Sequence, residues 1–374
     1  MQQIDKEIEY MNVAKAIGII LIVVGHSFAE ESTSSIRSFV YLFHVPLFFI
    51  LSGYFFDDKY IDKPILLIIK RIKTLWFPFF YWSTIFLFLH NLFFLFYIYS
   101  DKIAMFRGNF MYKYSIIEIA KKIIKLFAFK GSEPLLGAFW FLPCLFFTII
   151  IFLVLRTAVS NFFRNQIDIF TILLCLLCFI LGNLLSTYNI HIPVIPYDLR
   201  LFLITVFLYC IGFFYKKYES YVKFNNLLFI AATCLLVLVN EINLVKIDSI
   251  YSVIGSLQNS LLFLVATPIL GSYSVLYLAK TICHYKLSRL FNYIGKNTII
   301  ILALHFLCFK AVNYIIVVKY NLDLSNISIF PVIGNHESWF VVYSLFGVLI
   351  PIIVKFLFDQ SKFLFTSRVT TVAR

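Results

Sequence analysis

Charged residues are scarce in this sequence. Only 14% of its 374 residues are Asp, Glu, Lys or Arg, whereas 61% are hydrophobic and the mean hydropathy is +0.90. A soluble globular domain carries about 25% charged residues, so the composition excludes a chain built of soluble domains. It predicts a polytopic membrane protein.

Acidic residues are fewer than basic ones. The chain has 19 Asp and Glu against 32 Lys and Arg, which gives a formal net charge of +13. Such a balance can indicate nucleic-acid binding. Here, however, the basic residues fall mostly between apolar runs, where they set membrane topology or contact anionic lipid. We therefore expect membrane lipids, and not nucleic acid, as partners.

Several motifs that carry chemistry are missing. The chain has no Gly-x-Ser-x-Gly elbow, acidic dyad or phosphate loop, and no repeat of 20–50 residues is evident. Six of its seven cysteines lie inside apolar runs and are best interpreted as small buried hydrophobes. Cys175 and Cys178 form a CxxC without a polar context. We therefore expect no disulfide, no metal and no permanently bound cofactor.

Long apolar runs occupy most of the chain, and we identify about ten of roughly the 20-residue length that a bilayer demands. Lipid satisfies no backbone polar group and the runs lack strand-like alternation, so every span is expected to be helical and the fold all-α. The N-terminus shows no small-residue cleavage site, so we expect the first run to remain as a span. The predicted spans, within a single domain over 1–374, are 11–29, 39–56, 75–99, 139–157, 168–187, 199–215, 227–243, 256–279, 296–318 and 338–358.

Lysine and arginine predict the orientation in a plasma (inner) membrane. Most basic residues fall on one side if both termini are cytoplasmic, as the positive-inside rule requires. His26 then lies in the outer half. The inner segments would hold Lys59, Lys63, Lys70, Arg71, Lys73, Arg156, Arg164, Lys216, Lys217, Lys223, Lys280, Lys286, Arg289, Lys296, Lys355, Lys362, Arg368 and Arg374.

One outer loop, roughly 100–138, breaks this pattern because it is rich in lysine. Its segment near 113–130 alternates isoleucines with lysines in the manner of an amphipathic helix that lies in the membrane interface. A structural cover is one role for it. The alternative is a charged lid over an acceptor groove.

Lys15 and His26 are the two polar side chains that stand out in the first span. Eleven positions separate them, which places both on one helical face about 16 Å apart along the axis. A lysine near a helix end commonly snorkels to the headgroups, so an anchor is the alternative for Lys15. A histidine at this depth is a functional candidate by default.

The second span contains FHVPLFFILSGYFF, from Phe43 to Phe56. Pro46 is tolerated in the first turn of a helix, so His44 is expected at the mouth of the span, on the outer side near His26. Ser52 and Gly53 are interpreted as residues of close helix packing.

Five motifs, taken together, resemble a known family. They are YMNVAKAIGIILIVVGHS, FHVPLFFILSGYFF, RIKTLWFPFFYWS, FWFLPCLFF and IGKNTIIILALH, and in this order and spacing they resemble the acyltransferase family 3 integral membrane proteins, nearest to the fucose 4-O-acetylase-like branch. The resemblance covers nearly the whole chain. It implies a ten-helix transmembrane fold and O-acylation, usually O-acetylation, of surface sugars such as capsule or O-antigen from a cytoplasmic acyl-CoA.

The resemblance also implies roles for particular residues. The first-helix histidine of the family falls on His26, and its basic residue falls on Lys15, where many members have arginine; many relatives carry an acidic residue at Asn12. Attack of a sugar hydroxyl on a thioester needs a base, and imidazole titrates near neutral pH. We therefore predict His26 as the base, with His44 as the second catalytic candidate.

Donor phosphates require cations on the cytoplasmic side. Lys15, Lys70, Arg71 and Lys73 are predicted to bind acetyl-CoA or another acyl-CoA there, although the last three are more ordinarily residues of inner loops that set topology. For the glycan acceptor, Trp140 could stack on a sugar and Glu337 could bind hydroxyls, although aromatic belts and interfacial caps have the same appearance.

His305 ends the last of the five motifs, inside a predicted span. A hydrogen bond between helices is its expected role, and substrate binding or support of the site is the alternative. A different function class, a surface polysaccharide polymerase or a glycan flippase or transporter, remains the alternative for the whole chain. The spacing of Lys15 and His26 together with FHVPLFFILSGYFF favours the acyltransferase.

Overall fold

The computed structural model describes residues 2–29, 32–105, 108–131, 133–193, 197–242, 261–334 and 337–372. Within these ranges the regular secondary structure is helical apart from one isolated bridge between Pro193 and Asp198, which confirms the all-α fold. The helices are α1 Gln2–His26, α2 Ser35–Tyr41, α3 His44–Tyr54, α4 Lys59–Asp62, α5 Pro64–Arg71, α6 Phe77–Leu95, α7 Ile116–Phe127, α8 Phe141–Phe162, α9 Ile167–Thr187, α10 Leu199–Tyr218, α11 Asn226–Glu241, α12 Leu261–Ile282, α13 Ser288–Lys296, α14 Thr298–Lys319 and α15 Phe340–Val372.

Eight helical segments of the described chain are long and apolar enough to cross a membrane, and they coincide with eight of the ten predicted spans. The predicted spans 227–243 and 256–279 fall on α11, which has 16 residues, and on α12, which has 22. The start of the second of these lies outside the described residues. The eight segments are Ile8–His26, Ser35–Tyr54, Pro64–Leu95, Pro134–Phe162, Arg164–Thr187, Leu199–Tyr221, Thr298–Lys319 and Phe340–Ser361.

Helix α1 lies at the centre of the bundle, where it packs against α3, α12, α13, α14 and α15. Its approach to α13 is so close that a Cβ atom at Gly295 would lie 1.8 Å from the carbonyl oxygen of Asn12. The Asn12 amide donates a 2.9 Å hydrogen bond to Asn292 on α13. A neutral amide pair therefore joins α1 to α13 at the level just before Lys15.

The second predicted span is two helices, because α2 ends and α3 begins on either side of Leu42 and Phe43. Phe43 leaves the helical region with φ −148° and ψ −12°. His44 is thus the first residue of α3, and the break buries it to 2% exposure. The close packing predicted at Gly53 is present, since a Cβ there would lie 2.0 Å from the carbonyl oxygen of Tyr209 on α10.

The lysine-rich loop contains the predicted helix as α7, which begins at a capping box formed by Ser115 and Glu118. Just before this end, the Tyr114 ring stacks on His90 at 3.5 Å between centroids. At the other end, the Phe127 carbonyl accepts a 3.2 Å hydrogen bond from the indole of Trp76. Helix α7 therefore runs lengthwise and antiparallel along α6.

This packing predicts how deep each end of α7 lies. Ile117 and Ile124 are exposed by 67% and 70% and are about 10 Å apart along the helix axis. If α7 follows α6 into the bilayer, fluorophores attached to cysteines at these two positions should differ in depth by several ångströms. Quenching by lipids that carry spin labels at known depths measures this difference.

A calibration is available on α9, where Ile169 and Leu177 are exposed by 58% and 59% and about 12 Å apart along the axis of a membrane-spanning helix. Equal quenching at Ile117 and Ile124, with different quenching at the α9 pair, would show instead that α7 lies flat in the interface. The interfacial location therefore stays a prediction with a direct measurement.

Candidate active site at the His26 and His305 pair

His26 is the last residue of α1, and its imidazole meets that of His305 in the middle of the bundle. His26 Nδ1 lies 3.0 Å from His305 Nε2. The ring centroids are 5.2 Å apart with 14° between the ring planes. The two nitrogens thus point at each other along the line that joins the rings, which is favourable hydrogen-bond geometry.

The surroundings of the two rings differ. His305 is fully buried, at 0% exposure, and its Nδ1 donates a 3.0 Å hydrogen bond to the carbonyl oxygen of Ile301 one turn earlier in α14. His26 is partly exposed and has the Phe306 ring stacked on one face, at 4.9 Å between centroids. His26 is therefore the more accessible ring of the pair.

His44 lies close enough to His26 for an electrostatic interaction. Its own hydrogen bond, however, goes from Nδ1 to the Val40 carbonyl oxygen at 2.9 Å. Its ring also lies 4.7 Å from the ring of Tyr41. The structure thus places His44 beside the pair and holds it through α2.

A mostly apolar cavity of about 840 Å³ lies between α1, α3, α6, α8, α14 and α15. At one end it is lined by the cations Lys15, Lys296 and Lys355. At the other end it is lined by Ile22 and Leu302, which precede His26 and His305 by about one helical turn. The cavity therefore connects a cationic mouth with the space just below the histidine pair.

At the cationic end Lys355 forms an ion pair with Asp359, whereas Lys15 and the neighbouring Arg71 have no acidic partner among the described residues. Lys15 forms no ion pair with a carboxylate in the described chain, and its ammonium group lies 4.4 Å from the centroid of the Phe55 ring. Arg71 is not among the described residues that line the cavity. It is, however, close enough to Lys15 to repel it, and its buried Nε and Nη2 have no hydrogen-bond partner among the described residues. Two cations in this arrangement favour a bound anion.

Helix α6 enters this region through a π-helical turn, Ile72–Trp76. Such turns are frequent at functional sites, and here Thr74 and Leu75 of the turn line the cavity. Lys70 and Lys73, which the sequence predicted as donor ligands, are exposed. Lys70 donates a 3.3 Å hydrogen bond to the Tyr60 hydroxyl, and the structure places neither lysine among the described residues that line the cavity.

The two acceptor candidates differ in what the structure shows. Trp140 is half-buried and packs edge-on against Phe141 at 6.3 Å between centroids. Phe141 lines the cavity, whereas Trp140 is not among the described lining residues. Glu337 begins a short 3-10 helix, Glu337–Trp339, and its side chain lies outside the described part of the structure.

Some residues of the cavity were not predicted as ligands. Lys296 and Lys355 had been assigned to topology alone, and Ser52 to helix packing, yet all three line the cavity. Asn297 and Thr298, at the start of α14, line it as well. The signal that could have identified Lys296 is its place in the motif that ends at His305.

The comparisons with known proteins bear on the activity. The model of acyltransferase family 3, described as an acyltransferase domain, matches residues 8–356. No curated protein and no solved structure matches the chain. The match covers the histidine pair and all described residues that line the cavity except Phe358. The chain therefore belongs to the acyltransferase family 3 integral membrane proteins.

Proposed function

We propose that this membrane acyltransferase transfers an acyl group, usually acetyl, from a cytoplasmic acyl-CoA to a hydroxyl of a cell-surface or lipid-linked glycan. The observation that carries the proposal is the cavity, because it runs from a cationic end that includes Lys15, which has no carboxylate partner among the described residues, to Ile22 and Leu302, about one helical turn below the histidine pair. A donor with anionic phosphates and a reactive thioester at opposite ends of an extended arm matches this distribution of charge and chemistry.

The cationic end supplies the groups that bind phosphate. Lys15 and Lys296, which line the cavity, would donate charge-assisted hydrogen bonds to the donor phosphates, and Arg71 beside Lys15 would add positive charge. The N-terminus of α14, where Asn297 makes no side-chain cap, adds free backbone N–H groups at Thr298 and the residues after it. Binding at this end would leave the rest of the donor to extend along the apolar wall toward Ile22.

The apolar wall positions the arm of the donor. Phe48, Phe141, Leu142 and Leu145 line the cavity between its two ends, and they would exclude water from the thioester. Lys15 and His26 are about 16 Å apart along α1. A donor held by its phosphates at Lys15 would thus present its thioester near the level of His26.

The chemistry at His26 balances as an acyl transfer. His26 Nε2 takes the proton of the acceptor hydroxyl while the hydroxyl oxygen attacks the thioester carbon, so that a C–O bond forms and the C–S bond breaks. The proton then passes from His26 to the leaving CoA sulfur, which gives the ester and free CoA. His44, beside His26, would orient the acceptor.

Mass spectrometry of surface glycans tests the proposed function directly. Glycans from cells that express the protein should carry an acyl group that is absent from otherwise identical cells without it. Unchanged acyl content would contradict the proposal and favour a polymerase or flippase. A mass difference larger than that of acetyl would identify a longer acyl group.

The orientation in the plasma membrane gives a further expected result. Reporter fusions after Lys63 and at the C-terminus should both report the cytoplasm, whereas a fusion at Asn189, between α9 and α10, should report the outside. The measurement is the activity of a fused reporter enzyme that is active on only one side of the membrane. A cytoplasmic signal at Asn189 would reverse the orientation and place the cationic end of the cavity on the outside.

Lys296 distinguishes the cavity from the lysines predicted by sequence. Replacing Lys296 by alanine removes a cation from the cavity mouth, and we expect the KM for acetyl-CoA to rise about 3- to 10-fold, because an exposed charge contributes less than the 1.5–3 kcal/mol typical of charged hydrogen bonds. Lys70→Ala should have a smaller effect. Initial rates of CoA release over a range of acetyl-CoA concentrations measure both.

Lys286 is the matched control for Lys296, since it is an exposed lysine of the preceding inner segment. Lys286→Ala should leave the KM unchanged. An equal rise in KM for all three variants would indicate a general electrostatic attraction of the donor rather than a site at the cavity mouth.

A further inference from the structure

We infer that His305 is a positioning residue that fixes which nitrogen of His26 carries the proton. The inference rests on the proposed function, because it concerns the histidine that would act as its base. The position of the proton on His26 can be measured without any catalytic turnover.

The proton positions follow from the chain of contacts. The Ile301 carbonyl oxygen can only accept a hydrogen bond, so His305 Nδ1, 3.0 Å away, must carry a proton. A neutral imidazole has one proton, so His305 Nε2 is then an acceptor. His26 Nδ1, 3.0 Å from that nitrogen, must therefore be the donor.

The consequence for His26 is that its single proton lies on Nδ1. Its Nε2 then has a free lone pair, which is the form that a general base requires. Because the Nδ1–H bond points at His305, the opposite side of the ring, with Nε2, is turned away from α14. His305 thus sets both the tautomer and the direction of the reactive nitrogen.

The other polar groups around His26 cannot replace His305 in this role. Arg37 and His44 act on His26 electrostatically. Arg37, however, is a donor only, and His44, whose Nδ1–H goes to Val40, forms no hydrogen bond with His26 in the described part of the structure. Among the described residues, only His305 lies at hydrogen-bond distance from the His26 ring.

The neighbouring packing holds His305 in place. A Cβ atom at Gly347 on α15 would lie 3.4 Å from His305 Cβ and 2.7 Å from a carbon of Phe309. The Phe306 and Phe309 rings lie 4.0 and 5.7 Å from the His305 ring. The buried ring therefore has little room to turn and exchange its two nitrogens.

Nitrogen NMR of the full-length protein tests the assignment. The protein would be labelled with ¹⁵N-histidine and reconstituted in lipid nanodiscs, and the His26 signals would be assigned by their loss in His26→Gln. We expect a protonated Nδ1 and an unprotonated Nε2 for His26 in the wild type. A protonated Nε2 would overturn the inference whether or not the protein transfers acyl groups.

Variants of His305 add a kinetic test. His305→Ala removes the acceptor, so we expect His26 to populate both tautomers and kcat to fall by about 10-fold, less than the 10²- to 10⁴-fold that a positioned base contributes because the base itself remains, with a nearly unchanged KM for acetyl-CoA. His305→Gln retains an amide oxygen that can accept a hydrogen bond from His26 Nδ1–H. This variant should recover much of the wild-type tautomer population and much of the wild-type kcat. Wild-type kcat in a well-folded His305→Ala protein would overturn the role.

The two measurements separate the inference from the function beneath it. If glycan acylation were absent but the His26 tautomer were as expected, the proposed function would fail and the proton arrangement would stand. If acylation were present but His26 carried its proton on Nε2, the proposed function would stand and the inference about His305 would fail. A rise in KM without a change in kcat in His305→Ala would show that His305 only shapes the cavity.

Discussion

Replacing His26 by glutamine should abolish most acyl transfer while the protein still inserts in the membrane. A positioned base contributes about 10²- to 10⁴-fold to such a reaction, and glutamine can still accept or donate a hydrogen bond but cannot take up a proton at neutral pH. The measurement is the acylated fraction of the surface glycan together with the rate of CoA release. His26→Ala should have the same effect.

The structure makes this substitution a test of chemistry rather than of folding. His26 is partly exposed at the end of α1, and an amide that reaches His305 would preserve part of the helix contact. His284 offers a matched control, because it is an exposed histidine in the turn after α12 whose Nδ1 donates to the Lys280 carbonyl oxygen. His284→Gln should leave the rate unchanged.

His44 should respond differently from His26. If His44 orients the acceptor, His44→Ala should lower the rate less than His26→Gln does, because the base remains. An equal loss would indicate that the two histidines act as one unit. Wild-type acylation by a well-expressed His26→Gln protein would reduce His26 to a packing residue.

The helices could be predicted from the sequence because lipid imposes both their length and their hydrogen bonding. The break before His44 could not, since it depends on how Phe43 packs, and a Cβ at Gly271 of α12 would lie 2.1 Å from that ring. Likewise, the lysines of the loop near 113–130 indicated an amphipathic helix. Its course along α6 depends on single contacts at Tyr114 and Phe127.

The residues of the candidate site that share one helix could be aligned from the sequence. Lys15 and His26 lie on one face of α1, and the helical period alone brings them into line. The partner of His26 is 279 positions away in the chain, and no periodicity relates the two. Lys296 and Lys355 had an ordinary explanation as topology residues, and only the packing of α1 against α13 and α15 brings them to one cavity.

The same packing explains why Lys15 is an ammonium held without an acidic partner. Asn12, at the position where many relatives carry an acid, is paired with Asn292. Lys15 is also repelled electrostatically by Arg71. Since like charges repel, this arrangement is unfavourable until an anion arrives, and the donor phosphates would supply it.

Lys15→Ala should therefore raise the KM for acetyl-CoA by about 10- to 100-fold, which corresponds to the loss of one charged hydrogen bond of 1.5–3 kcal/mol. Lys15→Arg should retain the wild-type KM or lower it, because a guanidinium binds phosphate with two parallel hydrogen bonds and stacks well on an aromatic ring such as Phe55. The measurement is the dependence of CoA release on acetyl-CoA concentration.

The base and its tautomer affect the chemical step and therefore kcat, whereas the phosphate-binding cations affect KM. Substitutions at the two ends of the cavity should therefore change different kinetic parameters. A loss at Lys15 should appear mainly in KM, whereas a loss at His26 or His305 should appear mainly in kcat. Lys286→Ala again controls for net charge. If Lys15→Ala left the KM unchanged, Lys15 would be a membrane anchor, since a snorkelling lysine contributes to insertion and not to donor binding.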